Sequence, residues 1–91
     1  MRIRWTAAAA DDLEHIRNYL REHRPDFADP TVRELYEATL SLKTSPRRGR
    51  PGRETGTREL VVQRLPYIVA YRIRHETIEI LHIFHASQSR S

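Results

Sequence analysis

The stretch RELVVQRLPYIVAYRIRHETIEILHIFH, residues 58–85, decides the fold. It is rich in Val, Ile and Tyr and is interrupted at Leu65-Pro66 and at His75-Glu76. It therefore reads as three strands, Arg58–Gln63, Tyr67–Arg74 and Thr77–His85, joined by short connections. Connections this short pair neighbouring strands antiparallel, giving a three-strand meander. Simple alternation puts Leu81 and Ile83 on one face of the last strand and Ile78, Ile80 and Phe84 on the other. Neither face is cleanly polar, which predicts a central strand or a second face covered by a partner.

Upstream the periodicity changes. Arg2 to Trp5 alternates polar and apolar and suits one short strand, with Trp5 anchoring it to the core. Thr6 is placed to cap a helix running to about His23, with Asp11 and Asp12 near its positive end and Ala9, Leu13, Ile16 and Leu20 along one face. Pro25 closes that helix. Asp29-Pro30 reads as a second start signal, and Val32, Leu35, Thr39 and Leu42 form the next apolar stripe. The order β-α-α-β-β-β predicts an α+β domain with a helical hairpin packed on one face of a small antiparallel sheet. All 91 residues form one domain: strand and hairpin over 1–45, an arginine-rich loop over 46–57 and the meander over 58–86.

Between the two halves lies SPRRGRPGRETGT, residues 45–57, and it organises the charge. Residues 1–45 carry seven cations against eight acids, a net of −1, whereas residues 46–91 carry nine arginines against four acids, a net of +5. The helical half resembles a scaffold and the other half a surface for an anion. Fifteen of the sixteen cations are arginine, whose planar fork grips phosphates and carboxylates at two points. Arg47, Arg48, Arg50 and Arg53 repel one another within seven residues, a cost that an acidic partner or nucleic acid relieves. Gly49, Gly52 and Gly56 supply the turns that fold this loop back on the sheet.

The 38% hydrophobic content supports a modest core with little surplus. The chain has no cysteine, so disulfides, a thiol nucleophile and cysteine-ligated zinc are excluded. The N-terminus MRIRWT lacks the apolar core of a secretory leader, and no apolar run reaches the roughly twenty residues of a membrane span. A cytoplasmic protein without cofactor or metal is expected.

The motifs GRPG at 49–52, GTREL at 56–60, PYIVAYRI at 66–73 and IEILHIFHASQS at 78–89, in this order, resemble the RelE/ParE family of toxins from bacterial type II toxin–antitoxin systems. The likeness extends to the N-terminal strand and hairpin. It implies a small toxin neutralised by a cognate antitoxin, with operator DNA reached only through that antitoxin and no membrane partner. The family has a RelE-like branch, metal-independent mRNA endonucleases acting on the ribosome, and a ParE-like branch that poisons DNA gyrase.

Metal-free RNA cleavage needs a base, an acid and cations to hold the charged phosphorane. Arg58, Arg64 and Arg72 could hold phosphate, Tyr67 and Tyr71 could stack or donate a proton, and His82 and His85 are of the residue type suited to acid–base work. An endonuclease reading selects His85, Arg58 and Tyr67 as catalytic. In RelE-like nucleases an arginine begins the strand that starts here with Tyr67, and this departure favours the ParE-like branch, although His85 falls where some nuclease members have a histidine. A non-toxic nucleic-acid-binding module is a further alternative. Arg47, Arg48, Arg50, Arg53, Arg64, Tyr71 and Arg72 are the residues expected to bind antitoxin or target. His82 and His85 should point to opposite sheet faces and so cannot share a site, with His82 expected partly buried. Tyr67 and Tyr71 share a face, and packing accounts for both.

Overall fold

The computed structural model describes residues 1–62 and 64–88. Its elements in chain order are β1 (Arg2–Trp5), α1 (Ala7–His23), α2 (Pro25–Ser41), β2 (Arg50–Pro51), β3 (Arg58–Val61), β4 (Tyr67–Arg74), β5 (Thr77–His85) and a closing 3₁₀ turn at Ala86–Gln88. Among the described residues there is one five-stranded sheet of order β1-β5-β4-β3-β2. The meander is present as expected, with Gln63 lying outside the described residues. The loop adds a two-residue strand, β2, at one edge. The sheet is mixed, not antiparallel throughout as expected, because β1 pairs with β5 in parallel, Ile3 opposite Ile78 and Trp5 opposite Ile80. The intervening chain supplies the long crossover that a parallel pair requires.

Thr6 does cap α1. Its Oγ1 accepts the Ala9 amide at 3.1 Å and donates to the Ile80 carbonyl at 2.8 Å, so one side chain starts the helix and ties it to the central strand. The second helix begins earlier than Asp29-Pro30 predicts. Pro25 occupies its first turn, Pro30 lies inside it, and Arg24 alone separates the two helices. Pro25 disfavours helical geometry at Arg24, which breaks the chain there, and its own fixed φ suits a helix start. Pro30 forgoes only one helical hydrogen bond, and the packing of Ala28, Thr31, Leu35 and Thr39, all buried, holds the helix through it.

The core lies between the helices and one face of the sheet. Ala9, Leu35 and Leu42 meet Leu60, Val69, Tyr71, Ile78, Ile80 and Ile83, and Leu13, Ile16 and Trp5 pack around them. Alternation in β5 fails at one point. Ala70 pairs with His82 but Tyr71 pairs with Ile80, so Leu81 is an extra, bulged residue. Ile78, Ile80 and Ile83 therefore all face the helices, and only Phe84 of the four is on the other side, correcting the assignment made from simple alternation. Among the described residues, the face opposite the helices carries no second layer of secondary structure. Its midline holds Glu59 and Glu79, each 7% exposed.

Candidate functional site

The arginine loop is fixed from both sides. Near its start, the Tyr71 hydroxyl donates to the Pro46 carbonyl at 2.7 Å and accepts the Gly49 amide at 2.9 Å. A side chain on Gly49 would meet the Tyr71 ring at 2.8 Å and the Glu59 backbone at 3.0 Å, so glycine is required by the closeness of the loop to both. The Arg58 guanidinium donates to the carbonyls of Gly49 at 2.6 Å and Arg47 at 3.3 Å. Arg48 donates to the Ser41 hydroxyl at 2.6 Å. Tyr71, expected among the binding residues, is thus wholly buried and offers a partner no surface; it pins the loop.

Beyond β2 the loop turns back tightly, with the Gly52 amide on the Thr57 carbonyl at 2.8 Å and Gly56 in the left-handed region at φ 85°. Glu59 gathers it: one carboxylate oxygen accepts from Arg50 at 3.1 Å and the other from the Arg53 amide at 3.3 Å. The Arg53 guanidinium lies 5.6 Å from the centroid of the Phe84 ring and donates to the Gln88 carbonyl at 3.4 Å. The loop tip therefore leans over the open sheet face and encloses a cleft of about 340 Å³, floored by Ala70, Leu81 and Phe84 and walled by Glu54, His82 and Gln88. An apolar floor with a charged rim can seat an extended or helical segment of a partner.

The expected catalytic residues are distributed differently. Tyr67 and His85 are cross-strand partners with ring centroids 5.6 Å apart, edge to face. Burial, and secondarily Tyr19, pushes the Tyr67 hydroxyl above the usual phenol range, so it is a neutral donor. His85 is exposed, and its Nδ1 accepts the Ser87 amide at 3.1 Å with the Ser87 hydroxyl 2.8 Å away. The neutral ring accordingly carries its proton on Nε2, and its one lone pair is already engaged. Arg58 is opposite Tyr71, four residues from Tyr67 along β4, or about 13 Å at the usual strand rise. Tyr67 and His85 meet; Arg58 does not join them.

His82 and His85 are on opposite faces, as alternation requires, because the bulge at Leu81 precedes both. His82 is exposed rather than partly buried, because β1 stops short of it, and its Nδ1 is 3.2 Å from an Asp12 carboxylate oxygen that also accepts the Ile83 amide at 2.9 Å. Asp12 thereby caps the stretch of β5 edge that β1 leaves bare. Arg64 is exposed at the tip of the β3–β4 turn with φ 70°.

A cluster that the sequence reading missed spans three strands. Glu79 accepts from Arg72 Nε at 2.5 Å and from Arg4. The Arg4 hydrogen bond, followed by that of Arg72, lowers its carboxyl to about 2. Arg72 alone of these was singled out, since the parallel pairing that brings Arg4 to Glu79 leaves no local mark in the sequence.

The fold, the loop and the strand motifs together can be compared with known proteins. Residues 3–90 match the family model described as the ParE toxin of the type II toxin–antitoxin system parDE. The chain belongs to the ParE toxin family. Within this wider ParE/RelE group it is 44% identical over 87 residues to Y4kP of Sinorhizobium fredii, named as a toxin, covering 96% of this chain and 90% of that one. It is 37% identical over 84 residues to toxin RelE2 of Caulobacter vibrioides, covering 92% and 93%. Among solved structures, a chain of the chromosomal ParDE system from P. aeruginosa superposes with a TM-score of 0.85 at 30% identity, covering 93% of this chain and 95% of that one. A chain of the toxin–antitoxin complex RelBE2 from Mycobacterium tuberculosis gives 0.65 at 28% identity, covering 92% and 95%. The ParE-family chain is thus a type II toxin by family. Among the described residues, none of its helices is long and apolar enough to cross a membrane.

Proposed function

We propose that this toxin acts by binding, with DNA gyrase as its target, and that a cognate antitoxin neutralises it by covering the arginine loop and the cleft beside it. The observation that carries the reading is the state of the endonuclease residues. Arg58 is held against the loop by one guanidinium nitrogen, Nη1, which donates to two loop carbonyls, and the only lone pair of neutral His85 is occupied by Ser87. A base that must first release an internal hydrogen bond, and a cation turned away from it, are poorly placed to open a phosphodiester. The higher structural similarity to the ParDE chain supports the same branch.

Induced expression with parallel readouts of RNA integrity and DNA damage tests this. The expected result is intact transcripts, cleaved DNA and filamented cells, unchanged in kind by His85→Ala. Transcripts cut at translated codons, with both cutting and growth arrest abolished by His85→Ala, would establish the RelE-like reading instead, for which the Tyr67–His85 contact is the supporting geometry.

A further inference from the structure

The open sheet face carries a second cationic surface, at the end away from the loop cleft. The strand register sets it out: Arg2 is opposite Thr77, which is opposite Arg74, and Arg4 is opposite Glu79, which is opposite Arg72. Alternation puts all six side chains on the face turned from the helices, because Ile3, Ile73 and Ile78, between them in sequence, pack with the core. Adjacent strands are about 4.8 Å apart and alternate residues about 6.6 Å along a strand, so the four arginines mark the corners of a rectangle of roughly 10 by 7 Å. Glu79 sits midway along the side between Arg4 and Arg72 and is the single buried acid there, while Thr77 sits midway between Arg2 and Arg74. Its two oxygens orient Arg4 and Arg72, whose side chains nevertheless remain 60% and 41% exposed, and Arg2 and Arg74 are exposed beyond them.

We infer that this rectangle is a phosphate-binding surface for the backbone of a nucleic-acid duplex, so that the toxin touches nucleic acid directly rather than only through its antitoxin. Three features select that ligand. The patch sets its arginines at regular strand spacings and, counting the corners against Glu79, carries a net +3, which suits a regular polyanion. It has no apolar centre, unlike the cleft under Arg53, and a folded protein partner would need one. None of its six side chains is aromatic, so it lacks the stacking platform on which unpaired bases bind. Glu79 preorganises two guanidiniums while its own charge limits affinity, and this yields opposite expectations for changing the acid and changing the arginines. The inference goes beyond the choice of target and holds for either.

The test is a fluorescence-anisotropy titration of the purified toxin with a labelled 20-base-pair duplex DNA of arbitrary sequence, over a series of salt concentrations. Arg2→Ala with Arg74→Ala should weaken binding about tenfold at low salt and flatten the plot of log affinity against log salt by about 2, near one counterion for each arginine lost. Glu79→Gln should tighten binding. Both corner arginines lie outside the Glu79 clamp, so their removal leaves the fold intact even if Glu79→Gln unfolds the chain. An unchanged slope in the double variant, no duplex binding at low salt, or stronger binding of the corresponding single strand would each overturn the inference. So would displacement of the duplex by polyglutamate at equal charge concentration, which would point to an acidic protein.

Discussion

Tyr71 shows how a single residue can be read correctly for its place and wrongly for its role. Its position in YIVAYRI puts it on the same strand face as Tyr67, and both do pack inward. What no local pattern reveals is that its hydroxyl reaches a loop about 25 residues earlier in sequence, where the Pro46 carbonyl and Gly49 amide complete it. Glu79 is the converse case, an ordinary acid in an alternating strand that becomes the shared partner of two arginines. Because its folded carboxyl titrates at about 2 against an ordinary 4.5, the unfolded chain binds the extra proton between those values. The stability it contributes is complete above about pH 4.5 and is lost as pH falls towards 2. Glu79→Gln is therefore expected to flatten the acid limb of a thermal-stability profile across that window while leaving its neutral and alkaline limbs parallel to the wild type. An unaltered acid limb would show that the clamp does not persist in solution.

At the scale of elements, the early start of α2 and the bulge in β5 have the same origin. A start signal and an alternating pattern are local, and packing overrides them where it can. Pro25 began α2 because the hairpin needs only one linking residue, and Pro30 was then absorbed. Leu81 bulged so that Ile83 could join Ile78 and Ile80 against the helices, a gain in buried apolar area that outweighs one disrupted ladder pair. The β4–β5 turn did follow the sequence, but it is strained. His75 and Glu76 both have positive φ, 52° and 59°, the type I′ geometry that suits Asn-Gly. Each such residue costs about 1 kcal/mol when it is neither glycine nor asparagine. Replacing the pair, His75→Asn with Glu76→Gly, relieves about 2 kcal/mol of strain, of which the extra freedom of glycine in the unfolded chain takes back up to about 1 kcal/mol, so the chain should gain about 1 kcal/mol and the melting temperature rise by about 4–8 °C. A lower melting temperature would show that the native side chains make contacts worth more than the backbone strain.

For the whole molecule, the division of charge at Pro46 carried through only in part: the two helices cover one side of the sheet, but Arg2 and Arg4 from the first half join Arg72 and Arg74 on the open face. The loop arginines are not equivalent. Removing Arg50 would strip a partner from buried Glu59, so the exposed Arg47 and Arg53 form the cleaner probe of binding. Arg47→Ala with Arg53→Ala should weaken association with the antitoxin several-fold at low salt, less at high salt, with little change in melting temperature. Equal affinity in a calorimetric titration at low salt would remove the loop from the interface. The sequence alone determined the elements, their order and the charge asymmetry, because helix caps, strand composition and arginine spacing are written over a few neighbouring residues. It also carried enough motif to indicate the family. Tertiary structure decided the parallel placement of β1, the bulge, the burial of Tyr71, and the separation of Arg58 from Tyr67 and His85. Each depends on which distant segments pair and in what register, and that is set by competition for one small core, in which no short stretch of chain has a deciding share.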